Sequence, residues 1–227
     1  MGLSAVAPPV KQRLGVFGGA FDPPHNAHVA LAHAAVAQFG LDTLYVVPTG
    51  HAWHKSQALS QAGHRLAMTR LAFEDIPHVR VDEREVQRPG PTFTIDTLLA
   101  LQAENPEAQL YLFIGADQFA AFRQWHRWQD ILDIAIICIA DRAQSTRAGA
   151  QFDAEVDAYE GRSDRFAQLS LPLMPVSATQ IRQLAASGAA TAGEITQLVP
   201  EAVARYISLH QLYRSHSSTP LSKQNTA

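Results

Sequence analysis

Short apolar runs alternate with helical patterns along most of this 227-residue chain. The run at 134–140 is apolar nearly throughout, as expected for a strand buried on both faces of a parallel sheet. Strands that alternate with helices predict βαβ units and therefore a parallel sheet. We predict strands at 13–17, 43–47, 79–81, 109–114 and 134–140, and helices at 29–39, 64–73, 94–103, 177–187 and 201–209.

Length and composition indicate one ordered domain. Hydrophobic residues make up 47% of the chain and charged residues 17%, which excludes a largely disordered protein. We predict a single α/β domain over 13–213, between tails at 1–12 and 214–227. Its fold is a doubly wound, Rossmann-like parallel sheet with helices on both faces and a small C-terminal helical segment.

Charge and cysteine content limit the partners and the compartment. The net charge of −3 and pI near 6.3 argue against a broad basic face for nucleic acid. Cys138 is the single cysteine, so no intramolecular disulfide can form, and its apolar surroundings predict a buried, inert thiol. No apolar stretch reaches the roughly 18 residues of a membrane helix, and the N-terminus lacks a signal-peptide pattern. We expect a cytoplasmic protein without membrane or nucleic-acid partners.

The loop after the first predicted strand carries the strongest chemical signal. Gly18 and Gly19 allow the backbone to approach a ligand closely, and the helix N-terminus that follows offers free N–H groups to phosphate. His25 and His28 are three residues apart and share one face of the first helical turn. The loop is neither a Walker loop nor a Gly-x-Gly-x-x-Gly motif. A turn with two capping or surface histidines is the structural alternative, and the absence of a nearby third ligand in the sequence disfavours a metal site.

A second polar segment lies about 150 residues later. Ser177 suits a helix N-cap, and Thr179 and Arg182 follow within the first turns of that helix. Hydroxyls, free N–H groups and a guanidinium at one helix end can cradle an anion. An ordinary capped surface helix is the alternative interpretation.

These two segments resemble the signatures of the nucleotidyltransferase superfamily. Residues 18–28, Gly-Gly-Ala-Phe-Asp-Pro-Pro-His-Asn-Ala-His, are similar to its Gly-Gly-x-Phe-Asp-x-x-His-x-Gly-His signature. Ala20 replaces the usual Thr or Ser, and Ala27 replaces the usual Gly. Residues 176–182, Val-Ser-Ala-Thr-Gln-Ile-Arg, resemble the Ile-Ser-x-Thr-x-x-Arg motif that holds the β- and γ-phosphates of ATP in that superfamily.

Within the superfamily, the chain most resembles the bacterial nicotinate-nucleotide adenylyltransferases. The resemblance spans about 13–214. Beyond the two signatures, it rests on 46–49 with 53–55, on 82–85 with 91–98, on 114–117 with 125–126, and on 198–213.

The resemblance implies a reaction of ATP with nicotinate mononucleotide that gives deamido-NAD and pyrophosphate in NAD biosynthesis. It implies Mg²⁺ carried by ATP, with no metal site on the protein, and either a monomer or a homodimer. It assigns catalysis to His25, His28 and Arg182; ATP and phosphate binding to Gly18, Gly19, Ala20, Phe21, Ser177, Thr179, Gly115 and Asp117; and nicotinate binding to Thr49, Lys55, Phe93, Thr94, Trp125 and His126.

Several of these residues also have purely structural interpretations. Thr94 and Asp117 suit helix N-caps, Trp125 and Trp128 suit a core stripe, and residues 82–85 suit a solvated charge cluster. Two other functions stay open: adenylyl transfer to nicotinamide mononucleotide or another phosphorylated acceptor, and nucleotide sensing without turnover.

Overall fold

A computed structural model of the protein describes residues 11–50, 59–142, 156, 159, 161–187 and 192–214. Its sheet contains the strands β1 (Arg13–Gly19), β2 (Thr43–Pro48), β3 (Val79–Val81), β4 (Gln109–Gly115), β5 (Ala135–Arg142) and β6 (Phe166–Leu171). The helices of the described residues are α1 (Asn26–Phe39), α2 (Ala62–Phe73), α3 (Arg84–Gln87), α4 (Thr94–Glu104), α5 (Ala116–Ala120), α6 (Trp128–Ile134), α7 (Ala178–Ser187), α8 (Ala192–Thr196) and α9 (Glu201–Leu209), with 3₁₀ turns at Phe122–Gln124 and Ser163–Arg165.

The six strands form one parallel sheet in the order β3-β2-β1-β4-β5-β6. The chain first builds outward from β1 to β3, then returns to place β4 on the other side of β1. Phe17 of β1 therefore pairs with Val46 of β2 and with Phe113 of β4. This reversal between β1 and β4 opens a crevice at their carboxyl ends, where such folds bind ligands. The predicted doubly wound parallel fold is confirmed.

Neighbouring residues of β1 point into two separate cores, because side chains alternate across a strand. Phe17 joins the core beneath α1, α2 and α9, together with Phe73 and Ile207. Val16 joins the core beneath α4 and α6, together with Leu98 and Ile131. The sheet is thus covered on both faces, as a parallel sheet requires.

The edge strand β6 has no counterpart among the predicted strands. Phe166 and Leu169 are buried, whereas Gln168 and Ser170 are exposed. This edge strand has a single neighbour, β5, and its sequence lacks the continuous apolar run that marks the buried central strands. The buried environment predicted for Cys138 in β5 is confirmed. No helix in the described part of the chain is long and apolar enough to cross a membrane.

The interpretation of 82–85 as a solvated charge cluster is wrong for Glu85. This residue is only 8% exposed, and its Oε1 accepts a hydrogen bond of 2.8 Å from the Thr97 hydroxyl. Burial raises the pKa of Glu85, and the bond from Thr97 opposes that rise. Arg84 pairs with Asp82 and Glu104, so the segment is tied to the body of the protein.

The loop after β2 lies directly on the backbone of α3. A Cβ atom added to Gly50 would stand 2.0 Å from the carbonyl oxygen of Glu85. Because that oxygen belongs to the backbone, a side-chain rotation cannot relieve the clash. Gly50 is therefore required by this close approach.

We expect Gly50→Ala to lower the free energy of unfolding by about 2 kcal/mol or more, because the loop must move away from α3. Gly63→Ala is the matched control, since Gly63 lies exposed in α2 with no atom of the described residues near its added methyl group. The control change improves helix propensity by at most about 1 kcal/mol. Urea unfolding of both variants measures the difference, and equal stabilities would contradict the packing argument.

Candidate active site

The predicted site residues of the described chain follow the carboxyl ends of the parallel strands, which share one edge of the sheet. Residues 18–28 run from the end of β1 into α1, and Thr49 follows β2. Phe93 and Thr94 follow β3 after α3, and residues 115–126 follow β4. Ser177, Thr179 and Arg182 follow β6. Lys55 lies outside the described residues.

The loop between β1 and α1 is held by its own aromatic packing. Phe21 has a left-handed backbone (φ 48°), and its buried ring packs against Phe17 at 5.4 Å and Phe73 at 5.8 Å between ring centroids. A Cβ on Gly19 would come within 2.9 Å of the Phe21 ring. A Cβ on Gly18 would meet no described atom within 4 Å, so glycine at 18 leaves open space at this edge. Phe21 therefore contributes its backbone, and not its ring, to the exposed side of the loop.

His25 and His28 stack at the N-terminus of α1. Their ring centroids are 3.6 Å apart with an 18° angle between the planes. His25 is the N-cap residue, and its backbone N–H donates to Nδ1 of His28 at 3.1 Å. Since Nδ1 accepts, the neutral ring of His28 carries its proton on Nε2. Burial lowers the pKa of His28 well below its ordinary value of 6.5, and His25 lowers it further. His28 is thus a neutral hydrogen-bond donor.

The second polar segment reaches the first through Arg182. Nη1 of Arg182 donates to the backbone oxygen of Asp22 at 2.8 Å, and Nη2 donates to the Thr179 hydroxyl at 3.2 Å. Ser177 Oγ accepts the backbone N–H of Gln180 at 3.2 Å, which confirms the predicted N-cap of α7. Asp22 and Arg182 are 160 residues apart in the sequence, so this bond brings the two motifs together in space.

Four of the residues predicted to receive nicotinate, Phe93, Thr94, Trp125 and His126, make up a second group that follows β3 and β4 at the same edge. Phe93 and His126 lie with ring centroids 4.4 Å apart, and Trp125 packs beside Phe122 at 5.6 Å. Trp128 packs against Phe122 and Tyr159, so its interpretation as a core residue is confirmed. The backbone N–H of Thr49 donates to the oxygen of Gly19 at 2.8 Å, so Thr49 lies beside the phosphate loop.

The N-cap interpretations of Thr94 and Asp117 are wrong. The N-cap of α4 is Phe93, and Thr94 is the first helical residue. The N-cap of α5 is Gly115, and the Asp117 side chain lies in the first turn. A Cβ on Gly115 would stand 2.7 Å from Asp117 Oδ1, so the glycine makes room for that carboxylate.

One buried arginine outside the predicted set ties the site loops together. Arg65 of α2 is 2% exposed and donates to four backbone oxygens. The distances are 3.0 Å to Ala20, 2.6 Å to Thr49, 2.9 Å to Gly50 and 3.0 Å to Ser60. The sequence indicates that Arg65 is buried, because it precedes the apolar Met68 by three residues and the apolar Ala72 by seven. This spacing places its charge on the apolar face of the helix.

Asp22 is a second buried charge, 3% exposed, within the signature loop. Its carboxylate accepts the backbone N–H of Ser60 at 2.9 Å and the hydroxyl of Tyr213 at 2.6 Å. Because both oxygens are engaged by the protein, Asp22 is a structural junction. Among the described residues, no three His, Cys, Asp or Glu side chains are grouped closely enough to hold a metal ion.

Comparison with known proteins gives one consistent family. Residues 16–184 match the family described as cytidylyltransferase-like. A protein of Albidiferax ferrireducens named "Probable nicotinate-nucleotide adenylyltransferase" is 52% identical over 90% of this chain and 99% of its own length. A protein of the same name from Bordetella petrii is 40% identical over 89% of this chain and 100% of its own.

Solved structures show the same fold. The nicotinic acid mononucleotide adenylyltransferase of Plasmodium falciparum, complexed with APC in one structure and with NaAD in another, superposes with a TM-score of 0.67 in both cases. Sequence identity is 16% and 15%, and each superposition covers 89% of this chain and 97% of the other. At this identity the likeness concerns the fold.

We expect the His28 ring of the free protein to titrate well below pH 6.5, since burial and His25 disfavour its protonated form. An unfolded histidine titrates near 6.5, so below that pH the unfolded chain takes up a proton that the folded ring does not. This residue therefore lowers stability as the pH falls. NMR of the His28 Cε1–H, assigned with His28→Gln, gives the midpoint, with the urea-unfolded chain as reference. A folded midpoint at or above the reference would contradict the prediction.

Proposed function

Because the chain belongs to the nicotinate-nucleotide adenylyltransferase family of cytidylyltransferase-like proteins, we propose that it transfers the adenylyl group of ATP to nicotinate mononucleotide. The products are deamido-NAD and pyrophosphate. The observation that carries the proposal is the bond of Arg182 to the Asp22 backbone, which brings both phosphate-binding signatures to one edge of the sheet. The chain is accordingly an enzyme of NAD biosynthesis.

In the proposed reaction, a phosphate oxygen of the mononucleotide attacks the α-phosphorus of ATP in line. The bond from that phosphorus to the bridging oxygen breaks, and pyrophosphate leaves. Such a displacement needs positioning and charge neutralisation more than a protein nucleophile. His28, as a neutral Nε2–H donor, and His25 beside it stabilise the charge on the phosphate oxygens. Arg182 holds the departing pyrophosphate.

Backbone and hydroxyl groups complete the ATP site in this proposal. The loop at 18–21 leaves room for phosphates to approach the N-terminus of α1, while Ser177 and Thr179 lie exposed beside Arg182. Gly115, the last residue of the neighbouring strand β4, and Asp117, in the first turn of α5, face the nucleotide sugar. Mg²⁺ enters with ATP, since such an ion rides mainly on phosphates and water.

The acceptor site is assigned to the second group of residues. Trp125, Phe93 and His126 offer aromatic surfaces to the nicotinate ring. The N-terminus of α4 at Thr94 and the backbone near His126 offer N–H donors to its carboxylate. Thr49, whose own N–H is bonded to Gly19, is assigned to the same carboxylate. An amide in that position would present its own N–H₂ to these donors, and the mismatch favours the acid. Lys55 is assigned to the acceptor from the sequence alone.

We also propose that 13–213 forms one domain. The last residue of that range contacts the loop after the first strand, because Tyr213 donates a hydrogen bond to Asp22. The cytoplasmic location and the choice between monomer and homodimer stay predictions.

The decisive experiment compares the two mononucleotides. We expect wild-type protein with MgATP to convert nicotinate mononucleotide at least about 100-fold faster than nicotinamide mononucleotide at equal concentration. Chromatography of single-turnover reactions measures the dinucleotide formed. A preference for the amide, or none, would reassign the acceptor and support the alternative adenylyltransferase. ATP binding without any product would support a sensor.

We expect His28→Ala to lower kcat by roughly 100-fold, because a donor to the developing charge is lost. His33→Ala is the matched control, since His33 lies exposed on the same helix α1. Circular dichroism confirms that both variants fold. Near-wild-type turnover in folded His28→Ala would remove the residue from the catalytic group.

A further inference from the structure

The chain segment after α9 returns to the first loop through an unusual backbone path. Gln211 (φ 50°) and Tyr213 (φ 66°) both adopt the left-handed region, which residues other than glycine seldom occupy. Such conformations persist where the surrounding structure determines them. Here they direct the Tyr213 hydroxyl to Oδ1 of Asp22 at 2.6 Å.

Asp22 links three distant parts of the chain. Its Oδ1 accepts from Tyr213, its Oδ2 accepts from the backbone of Ser60, and its main-chain oxygen accepts from Arg182. A residue 3% exposed has little water to replace a lost donor. Release of one partner therefore affects the orientation of the others.

We propose that Tyr213 is a positioning residue for ATP binding. Through its bond to Asp22, Tyr213 fixes the guanidinium of Arg182 and the phosphate loop. The proposal rests on the assignment of that loop and Arg182 to ATP, and it extends the site to the C-terminal end of the described chain. Tyr213 itself is not placed in contact with substrate.

The hydroxyl of Tyr213 is suited to this role because it stays a donor. Burial raises the pKa of Tyr213, and the neighbouring carboxylate of Asp22 raises it further. The Tyr213 hydroxyl therefore keeps the proton that it donates to Asp22. The positive charge of Arg182 opposes this rise in the pKa of Tyr213.

The test compares two variants that each remove one hydroxyl. Tyr213→Phe deletes the donor to Asp22 and keeps the ring. Tyr206→Phe is the matched control, since Tyr206 is half-buried like its counterpart and its hydroxyl bonds to Nδ1 of His64 at 3.0 Å. Calorimetric titration with MgATP, in the absence of acceptor, gives the Kd and the stoichiometry for the full-length proteins.

We expect Tyr213→Phe to raise the Kd for ATP about tenfold at unchanged stoichiometry, as for loss of a hydrogen bond to a charged group. Tyr206→Phe should bind as wild type. In steady-state assays, KM for ATP should rise while KM for nicotinate mononucleotide stays constant.

A loss of folded protein would have a different signature, because it lowers the stoichiometry and leaves the Kd unchanged. That result, or wild-type ATP affinity in folded Tyr213→Phe, would overturn the positioning role. Wild-type protein that binds no ATP would overturn the proposed function, and this inference with it. If the wild-type protein forms the dinucleotide and Tyr213→Phe binds ATP with the same Kd, the inference is overturned and the proposed function stands.

Discussion

The buried guanidinium of Arg65 is the interaction on which the site geometry depends. A charge removed from water is costly unless nearly every donor finds an acceptor, and Arg65 meets this condition only when the loops after β1 and β2 both turn carbonyl oxygens toward it. In a trans peptide the next N–H points the opposite way. Fixing the oxygens of Ala20 and Thr49 therefore directs the N–H groups of Phe21 and Gly50 away from Arg65. One side chain thus orients backbone donors in the loops that follow two neighbouring strands.

Asp22 complements this arrangement from the other side of the loop. Arg65 collects backbone oxygens, whereas the Asp22 carboxylate collects an N–H and a hydroxyl, and its charge offsets the desolvation that lowers the pKa of Arg65. The segments that they join lie far apart in sequence, so their order depends on tertiary packing. Loops built only from local hydrogen bonds would leave the phosphate loop and Arg182 free to move separately.

The sequence was sufficient for the central sheet and for the two signatures. Parallel strands buried on both faces carry continuous apolar runs, and the topology then brings their carboxyl ends to one edge. The sequence was insufficient for segments in which buried and exposed residues follow one another. The edge strand β6 mixes polar and apolar residues. Glu85 lies in a polar run of the sequence, although the folded chain buries it and Thr97 donates a hydrogen bond to it. Thr94 and Asp117 carry good capping side chains, yet neither occupies the N-cap position. The N-cap lies one residue before Thr94 and two residues before Asp117. Arg65 could be flagged by helical spacing, but its four acceptors are set by tertiary structure alone.

The protonation of His28 connects the fold to the chemistry. A histidine at a helix N-terminus lies at the positive end of the dipole, and burial beside His25 further disfavours its charged form. A neutral ring still donates through Nε2, because the His25 N–H occupies Nδ1. Arg182, which the Asp22 oxygen and Thr179 hold in place, brings a permanent positive charge to the site. Donors that are already fixed need little rearrangement as charge develops on a phosphate. Such preorganisation suits this displacement, because the substrates supply both the nucleophile and the leaving group.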